Sequence, residues 1–381
     1  MYLSELPGHD AIKSYLRKIV HEDKIPHALL LTGQEGVGLL PIATGLAILV
    51  QCKDRTEAGA CGTCSSCTKA AQLIHPDIHF AFPVIKKDGL KRVDTSSLHF
   101  MKEFREFYAE APFGSLSEWL GHLGAPDKQA NINKKECSTI IKNLGLKTYE
   151  GGYKVQIIWY ADYLQKEGNR LLKLIEEPSD DTLIILISAN ASRLLNTLRS
   201  RCQIVSVPPL SDPELLDYVK THHELSDEDS QELAFLASGN VRKAQLLGQK
   251  QELNYSEELL EWLRTAYQGD PEKMVAFVDE MSRRGRQELV TFLEYGLHFL
   301  REYLHYLNVG QEELLRLTGT ERKVALEMRK IISYGKTQHL RRFYERTIQH
   351  VRRNLALKPL LMALTIEINQ ILRSEDNNLV S

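Results

Sequence analysis

Apolar residues fall along this chain in two different rhythms. In the first half they gather in short runs: Leu29–Thr32, Val155–Tyr160, Leu183–Ser188 and Ile204–Val207. Val155–Tyr160 and Leu183–Ser188, short and rich in β-branched side chains, suit strands of a parallel sheet covered on both faces. The first run ends in the glycine-rich stretch Gly33–Gly38, and a helix-like segment follows from Leu39 to Cys52. Strand, glycine turn and helix in that order open a nucleotide-binding α/β domain. Leu164–Glu177 predicts a helix between two strands, stopped by Pro178, and Pro208-Pro209 ends the last strand.

Beyond Pro213 the periodicity is helical throughout. Leu210–His223, Asp227–Ser238 and Val241–Leu247 predict a small helical group. Glu257–Tyr267, Pro271–Arg283, Gln287–Tyr306, Lys323–Tyr334 and His339–Leu372 predict a larger one, with Pro359 breaking or kinking the last helix. The tail from Ser374 to Ser381 is expected to fray. The predicted architecture is an α/β domain over residues 1–207, a small helical lid over 208–252 and an all-helical domain over 253–381. Residues near 86–130 fit this plan poorly. They carry Phe104, Phe107, Tyr108 and Trp119 among Gly and Pro breaks, and read as a partly helical insertion without assigned chemistry.

A length of 381 residues agrees with two or three domains. With 48 Lys and Arg against 50 Asp and Glu, the net charge is -2. That excludes a protein whose affinity for nucleic acid comes from a large basic excess, and leaves open a local basic stripe or DNA contact within an assembly. The N-terminus lacks the basic-then-apolar run of a signal peptide. The best apolar candidate for a span, Leu39–Val50, is short and interrupted by Pro41, Thr44 and Gly45. A cytoplasmic protein without membrane contact is expected. In that reducing compartment, clustered cysteines more often bind metal than pair as disulfides.

Gly33 and Gly38 have the spacing of a P-loop, with Gly36 between them. Backbone amides of such a loop form an anion nest, the next residue should be a Lys for the β- and γ-phosphates, and the one after a Ser or Thr for Mg²⁺. Leu39 and Leu40 stand there instead. An acidic pair that positions Mg²⁺ and water should end the second strand. Trp159 and Tyr160 hold those positions, and Asp162 lies past the strand end. Loss of all these groups removes the metal and the charge clamp together. A tight strand-to-helix turn with no ligand is the other reading of the loop.

Cys52, Cys61, Cys64 and Cys67 lie within one short segment, with Gly59 and Gly62 permitting tight turns. Four thiolates suit a structural Zn²⁺ without an open coordination position. Free thiols or an iron–sulfur cluster are the alternatives. Cys137 and Cys202 read as ordinary small residues. Arg201, in Ser200-Arg201-Cys202, and Arg242, in Gly239-Asn240-Val241-Arg242, read by themselves as surface arginines.

In combination these segments say more. Pro26–Gly33 (PHALLLTG), the four-cysteine insert, His75-Pro76-Asp77, the Asn169–Pro178 segment with Leu171-Leu172-Lys173 and Glu176-Glu177-Pro178, and Leu198–Cys202 occur in this order. Together they resemble the bacterial clamp-loader ATPase family, over about residues 1–250 apart from the insertion. The resemblance implies an AAA+ fold with a C-terminal collar domain. It also implies a ring of tau/gamma motor subunits and delta that opens a sliding clamp and loads it on primed DNA, as part of the DNA polymerase III holoenzyme. The degraded P-loop resembles the family's non-catalytic stator rather than its motors, so ATP is expected to be unbound or not hydrolysed, and no ATPase or polymerase activity is expected of the chain itself. The resemblance further implies that Arg201 is an arginine finger for a neighbouring ATP site, and that Arg242 holds the second sensor position. An active tau/gamma-type ATPase and a zinc-binding interaction protein are the competing readings.

Overall fold

The computed structural model describes residues 1–126, 128–249, 255–312, 315–317, 319–329, 332–353 and 355–374. The tail expected to fray therefore lies, from 375 onward, outside the described residues, as do residues 250–252 of the expected lid. Among the described residues no helix is long and apolar enough to cross a membrane.

Five strands form one parallel sheet in the order β2-β3-β4-β1-β5. They are β1 (Ala28–Gly33), β2 (Ile78–Ala81), β3 (Lys154–Ile158), β4 (Thr182–Ser188) and β5 (Gln203–Val207). β4 is buried along its whole length and lies between β3 and β1, which accounts for its unbroken apolar run. The α/β class and the helical C-terminal part follow the sequence expectation. One strand was not anticipated: β2 has only four residues and borders the sheet beside β3. Another ends early. β3 stops at Ile158, and Trp159 and Tyr160 turn out of the sheet, Tyr160 with φ at 54° in the left-handed region.

The helix α1 (Asp10–His21) precedes β1, and α2 (Leu39–Gln51) follows it. Every residue of α2 is buried. α3 (Ser65–Ala71) leads to β2. Between β2 and β3 lie α4 (Met101–Glu110), α5 (Leu116–His122) and α6 (Lys134–Leu144). The expectation of one helix over 164–177 is corrected: a 3₁₀ stretch at Ala161–Leu171, broken by the positive φ of Gln165, gives way to the short α7 (Leu172–Glu176). α8 (Asn196–Arg199) precedes β5. Leu30, Ile158, Leu164, Leu171, Ile175, Leu186 and Leu198 share one buried cluster with the α6 residues Ile140 and Leu144.

The segment between β2 and α6 leaves and returns at one point. Val84 and Asn131 exchange backbone hydrogen bonds of 3.1 and 3.2 Å. Inside that loop Phe104, Phe107 and Trp119 stack and tilt against one another and against Phe82 at its entry, with centroids 4.0–5.6 Å apart. The Trp119 indole N–H donates to the Pro83 carbonyl at 2.9 Å, so the ring's polar edge is satisfied in the core.

Helices continue as α9 (Asp212–His222), α10 (Asp227–Ala237), α11 (Val241–Gly248), α12 (Tyr255–Gln268), α13 (Pro271–Ser282), α14 (Arg286–Val309), α15 (Gly319–Met328), α16 (Tyr334–Arg352) and α17 (Leu357–Arg373). The expected helix 323–334 instead spans 319–328, and the long helix expected over 339–372 is two helices. Pro359 lies in the first turn of α17, where its missing N–H costs no hydrogen bond, so it marks a start rather than a kink. The chain divides into two compact units, residues 1–218 with 237–246, and residues 219–236 with 247–381. In the second unit Trp262 packs against Phe277, Phe292 and Tyr344 and donates to Thr365 Oγ1 at 2.9 Å.

Candidate functional site

The turn after β1 has the backbone of an anion nest. Gly36 and Gly38 have φ of 80° and 107°, a region that disfavours side chains. A Cβ on Gly33 would lie 2.3 Å from the Val207 carbonyl, and one on Gly36 would lie 2.2 Å from Asn240 Oδ1. The loop is also tied to the start of α11. Asn240 Nδ2 donates to the Glu35 carbonyl at 2.8 Å, and the Arg242 amide donates to the Gly36 carbonyl at 3.2 Å.

What surrounds the nest is the chain itself. Leu39 and Leu40 are buried in the first turn of α2. The Phe113 ring edge lies 3.1 Å from where a Gly38 Cβ would stand. The Tyr160 hydroxyl donates to Glu35 Oε1 at 2.5 Å and accepts from the Leu116 amide at 2.9 Å. Burial, and then the Glu35 carboxylate, push the Tyr160 phenol well above its ordinary range, so it remains a donor. The space left between Gly36, Gly38, Leu40, Phe113 and Trp159 is about 20 Å³, room for a water molecule.

Trp159 packs its ring against Phe104 and Phe107 at 5.7 and 5.9 Å. Asp162 accepts from Ser188 Oγ at 2.9 Å, at the end of β4. Arg242 turns to Glu118 of α5, with Nη2 and Nε at 2.6 and 2.8 Å from Oε1. The other Glu118 oxygen accepts from the Ser115 amide and hydroxyl at 2.8 and 2.9 Å and caps α5. Burial raises the Glu118 carboxyl, but the bonds from Arg242 and Ser115 outweigh it and hold the group below its usual range.

The cysteine cluster forms at the opposite end of α2. Cys52 is the C-cap of that helix, and Cys64 is the N-cap of α3. All four sulfurs of Cys52, Cys61, Cys64 and Cys67 lie within 4.8 Å of one another, and Cys61 and Cys67 are 4.0 Å apart. Sulfurs around a tetrahedral ion with bonds of about 2.3 Å are about 3.8 Å apart, so the donor set fits a metal ion. Backbone amides of Cys61, Cys64 and Cys67 donate to the sulfurs of Cys52, Cys61 and Cys64 at 3.2–3.4 Å. Those from Cys64 and Thr63 hold the Cys61 thiol down to about 6. Burial pushes Cys67 the other way. Cys137 and Cys202 stand apart from the cluster, donating to the carbonyls of Glu167 and Leu198.

Two other sequence motifs meet. Arg201 Nε lies 2.5 Å from Glu176 Oε1, and its Nη1 donates to the Thr197 carbonyl at 2.9 Å. Its side chain is 38% exposed, so the guanidinium is reachable from outside the chain. His75 and Asp77 serve the local fold. The His75 ring bonds Ser66 Oγ at 2.7 Å, while both Asp77 oxygens accept amides, from Tyr149 and Glu150. Glu35, Phe113, Glu118 and Asn240 were not singled out by sequence. Only Glu118 carries a local signal, the capping-box spacing from Ser115.

Residues 8–211 match the family described as DNA polymerase III, delta subunit. The DNA polymerase III subunit delta' of Bacillus subtilis is 27% identical over 209 residues, covering 54% of this chain and 49% of that protein. The subunit delta' of Pseudomonas aeruginosa is 29% identical over 225 residues, covering 58% and 55%. This chain thus spans about half the length of the curated relatives it matches. Among solved structures, a gamma subunit-related protein of Thermotoga maritima aligns with a TM-score of 0.39 at 17% identity, over 94% of this chain and 99% of that one.

Proposed function

The chain belongs to the DNA polymerase III delta-subunit family, and from that membership we propose that it is a non-catalytic delta-prime (stator) subunit of a clamp loader. In this reading it joins tau/gamma motors and delta in the cytoplasm, in a ring that opens the sliding clamp and loads it on primed DNA. Residues 1–207 form the AAA+ domain, 208–252 the lid, and 253–381 the collar through which the ring assembles.

The observation that carries the non-catalytic part is the set of side chains at the nest. Leu39, Leu40, Trp159 and Tyr160 stand where phosphate binding and metal positioning need Lys, a hydroxyl and carboxylates. None of the four carries a charge, so the chain neither binds ATP productively nor hydrolyses it. Arg242 likewise meets a carboxylate of its own chain, so no sensor role is assigned to it beyond its position.

Cys52, Cys61, Cys64 and Cys67 hold one Zn²⁺. Four thiolates leave it no open position, so its contribution is to fasten α2 to α3.

Arg201 acts in trans. An exposed guanidinium beyond α8, with no competent γ-phosphate in its own chain, is available to a neighbouring subunit's ATP site, where it would stabilise charge on the departing phosphoryl group. To reach it, Arg201 exchanges the Glu176 carboxylate for phosphate oxygens. The test is steady-state ATP hydrolysis by reconstituted loader with clamp and primed DNA. Arg201→Ala at matched assembly should slow hydrolysis by about tenfold or more at the adjacent site, and Arg201→Lys should also be impaired because Lys lacks the planar fork. Unchanged rates in both would reduce Arg201 to a structural arginine.

A further inference from the structure

The insertion closed by Val84 and Asn131 has no role in the reading above. We propose that its segment Pro112–Glu118 is a built-in occupant of the degenerate nucleotide cradle, joining the elements that a bound nucleotide would otherwise bridge. The inference rests on reading Gly33–Gly38 as a P-loop remnant.

The contacts reach the cradle from several sides. Phe113 covers Gly38 at the mouth of the nest. The Leu116 amide donates to the Tyr160 hydroxyl, which passes its own proton toward Glu35 inside the loop. This one chain of hydrogen bonds links insertion, strand end and P-loop. Glu118 supplies the anion for Arg242, whose own backbone amide is bonded to the Gly36 carbonyl of the loop. Farther along α2, the hydroxyls of Tyr108 and Thr44 bond at 2.5 Å with both side chains buried, fixing α4 on the helix that the nest begins. Glu136 of α6 accepts the Ser97 amide and hydroxyl, each at 2.6 Å, and anchors the entry to α4.

The substituted positions and the insertion also fit each other. Trp159 is useless for metal binding, yet its ring completes the insertion's aromatic cluster. Tyr160 cannot replace a carboxylate, yet it has a donor and an acceptor where it stands. The loss of catalytic groups and the presence of the insertion are therefore one arrangement. A nucleotide-driven domain cycles between occupied and empty states. This cradle is occupied permanently, so the α/β unit has one state, as a stator requires.

The test is hydrogen–deuterium exchange on the full chain, comparing wild type with Glu118→Gln and Phe113→Ala. The nearly isosteric Glu118→Gln guards against loss of folding. Both single changes should speed exchange of amides 34–40 by about tenfold or more while β4 exchanges as in wild type. Unchanged exchange at 34–40 in both single variants, or a rise spread equally over β4, would overturn the proposal. Neither outcome touches the non-catalytic reading, which fails separately if the wild-type chain hydrolyses Mg–ATP above a buffer blank.

Discussion

The two ends of α2 began with comparable materials and went different ways. At its C-terminal end, Cys52 and three following cysteines converge to within 4.8 Å, a spacing that fits an ion. At its N-terminal end, glycines of the right spacing build a nest, and Phe113, Tyr160 and Leu40 fill it. One end keeps its ligand chemistry because its donors are local and mutually arranged. The other keeps only backbone shape, because the side chains that would bind a ligand have become apolar or aromatic. Glycine spacing alone is thus weaker testimony to a ligand than the residues that follow it.

The largest effect should come from breaking the cysteine end. Replacing Cys61 and Cys64 together by Ser should abolish stoichiometric metal and lower the midpoint of thermal unfolding by about 10 °C or more, since metal-binding energy is folding energy. Elemental analysis of protein purified without chelator, followed by calorimetry, checks both halves. Iron, or full stability without metal, would remove the structural zinc.

Next is the core beneath the other end. Trp119→Ala should cost about 3–5 kcal/mol, the range for deleting a large buried aromatic ring. Denaturant titration measures it. A cost below about 1 kcal/mol would mean that the insertion packs loosely and cannot hold anything in place.

A smaller effect is expected of Tyr160→Phe. Losing the hydroxyl leaves the buried Leu116 amide without an acceptor, for about 1–3 kcal/mol, while the exposed Glu35 carboxylate turns to water. Metal content should be unchanged, which separates the two ends of α2. A variant that loses metal in parallel would show the ends to be one cooperative site.

The smallest effect belongs to Arg201→Ala. Its ion pair with Glu176 is solvent-exposed on both sides, so unfolding free energy should move by no more than about 0.5 kcal/mol. A much larger loss in the isolated chain would make Arg201 a structural residue whatever the assembled loader does.

What could be read from sequence follows the reach of the interactions. The four cysteines and the glycines of the nest are close neighbours in the chain, and their spacing carried the expectation. The sheet's buried strands announced themselves as apolar runs, whereas β2 is too short to stand out. At Trp159 and Tyr160 the sequence showed only that no carboxylate stands there. It did not show what was gained, because Glu35 lies 125 positions from Tyr160 and Glu118 lies 124 positions from Arg242. No periodicity joins residues so far apart. Pro359 misled for a local reason: a proline opening a helix and one bending it look alike until the break before it is seen.

If the N-terminal end of α2 no longer receives nucleotide, equilibrium titration of the full isolated chain with Mg–ATP will show it. The prediction is no saturable binding into the millimolar range and no turnover above a buffer blank. Saturable, one-to-one binding that is lost on Gly38→Val would contradict it and return the chain to the nucleotide-binding members of its class.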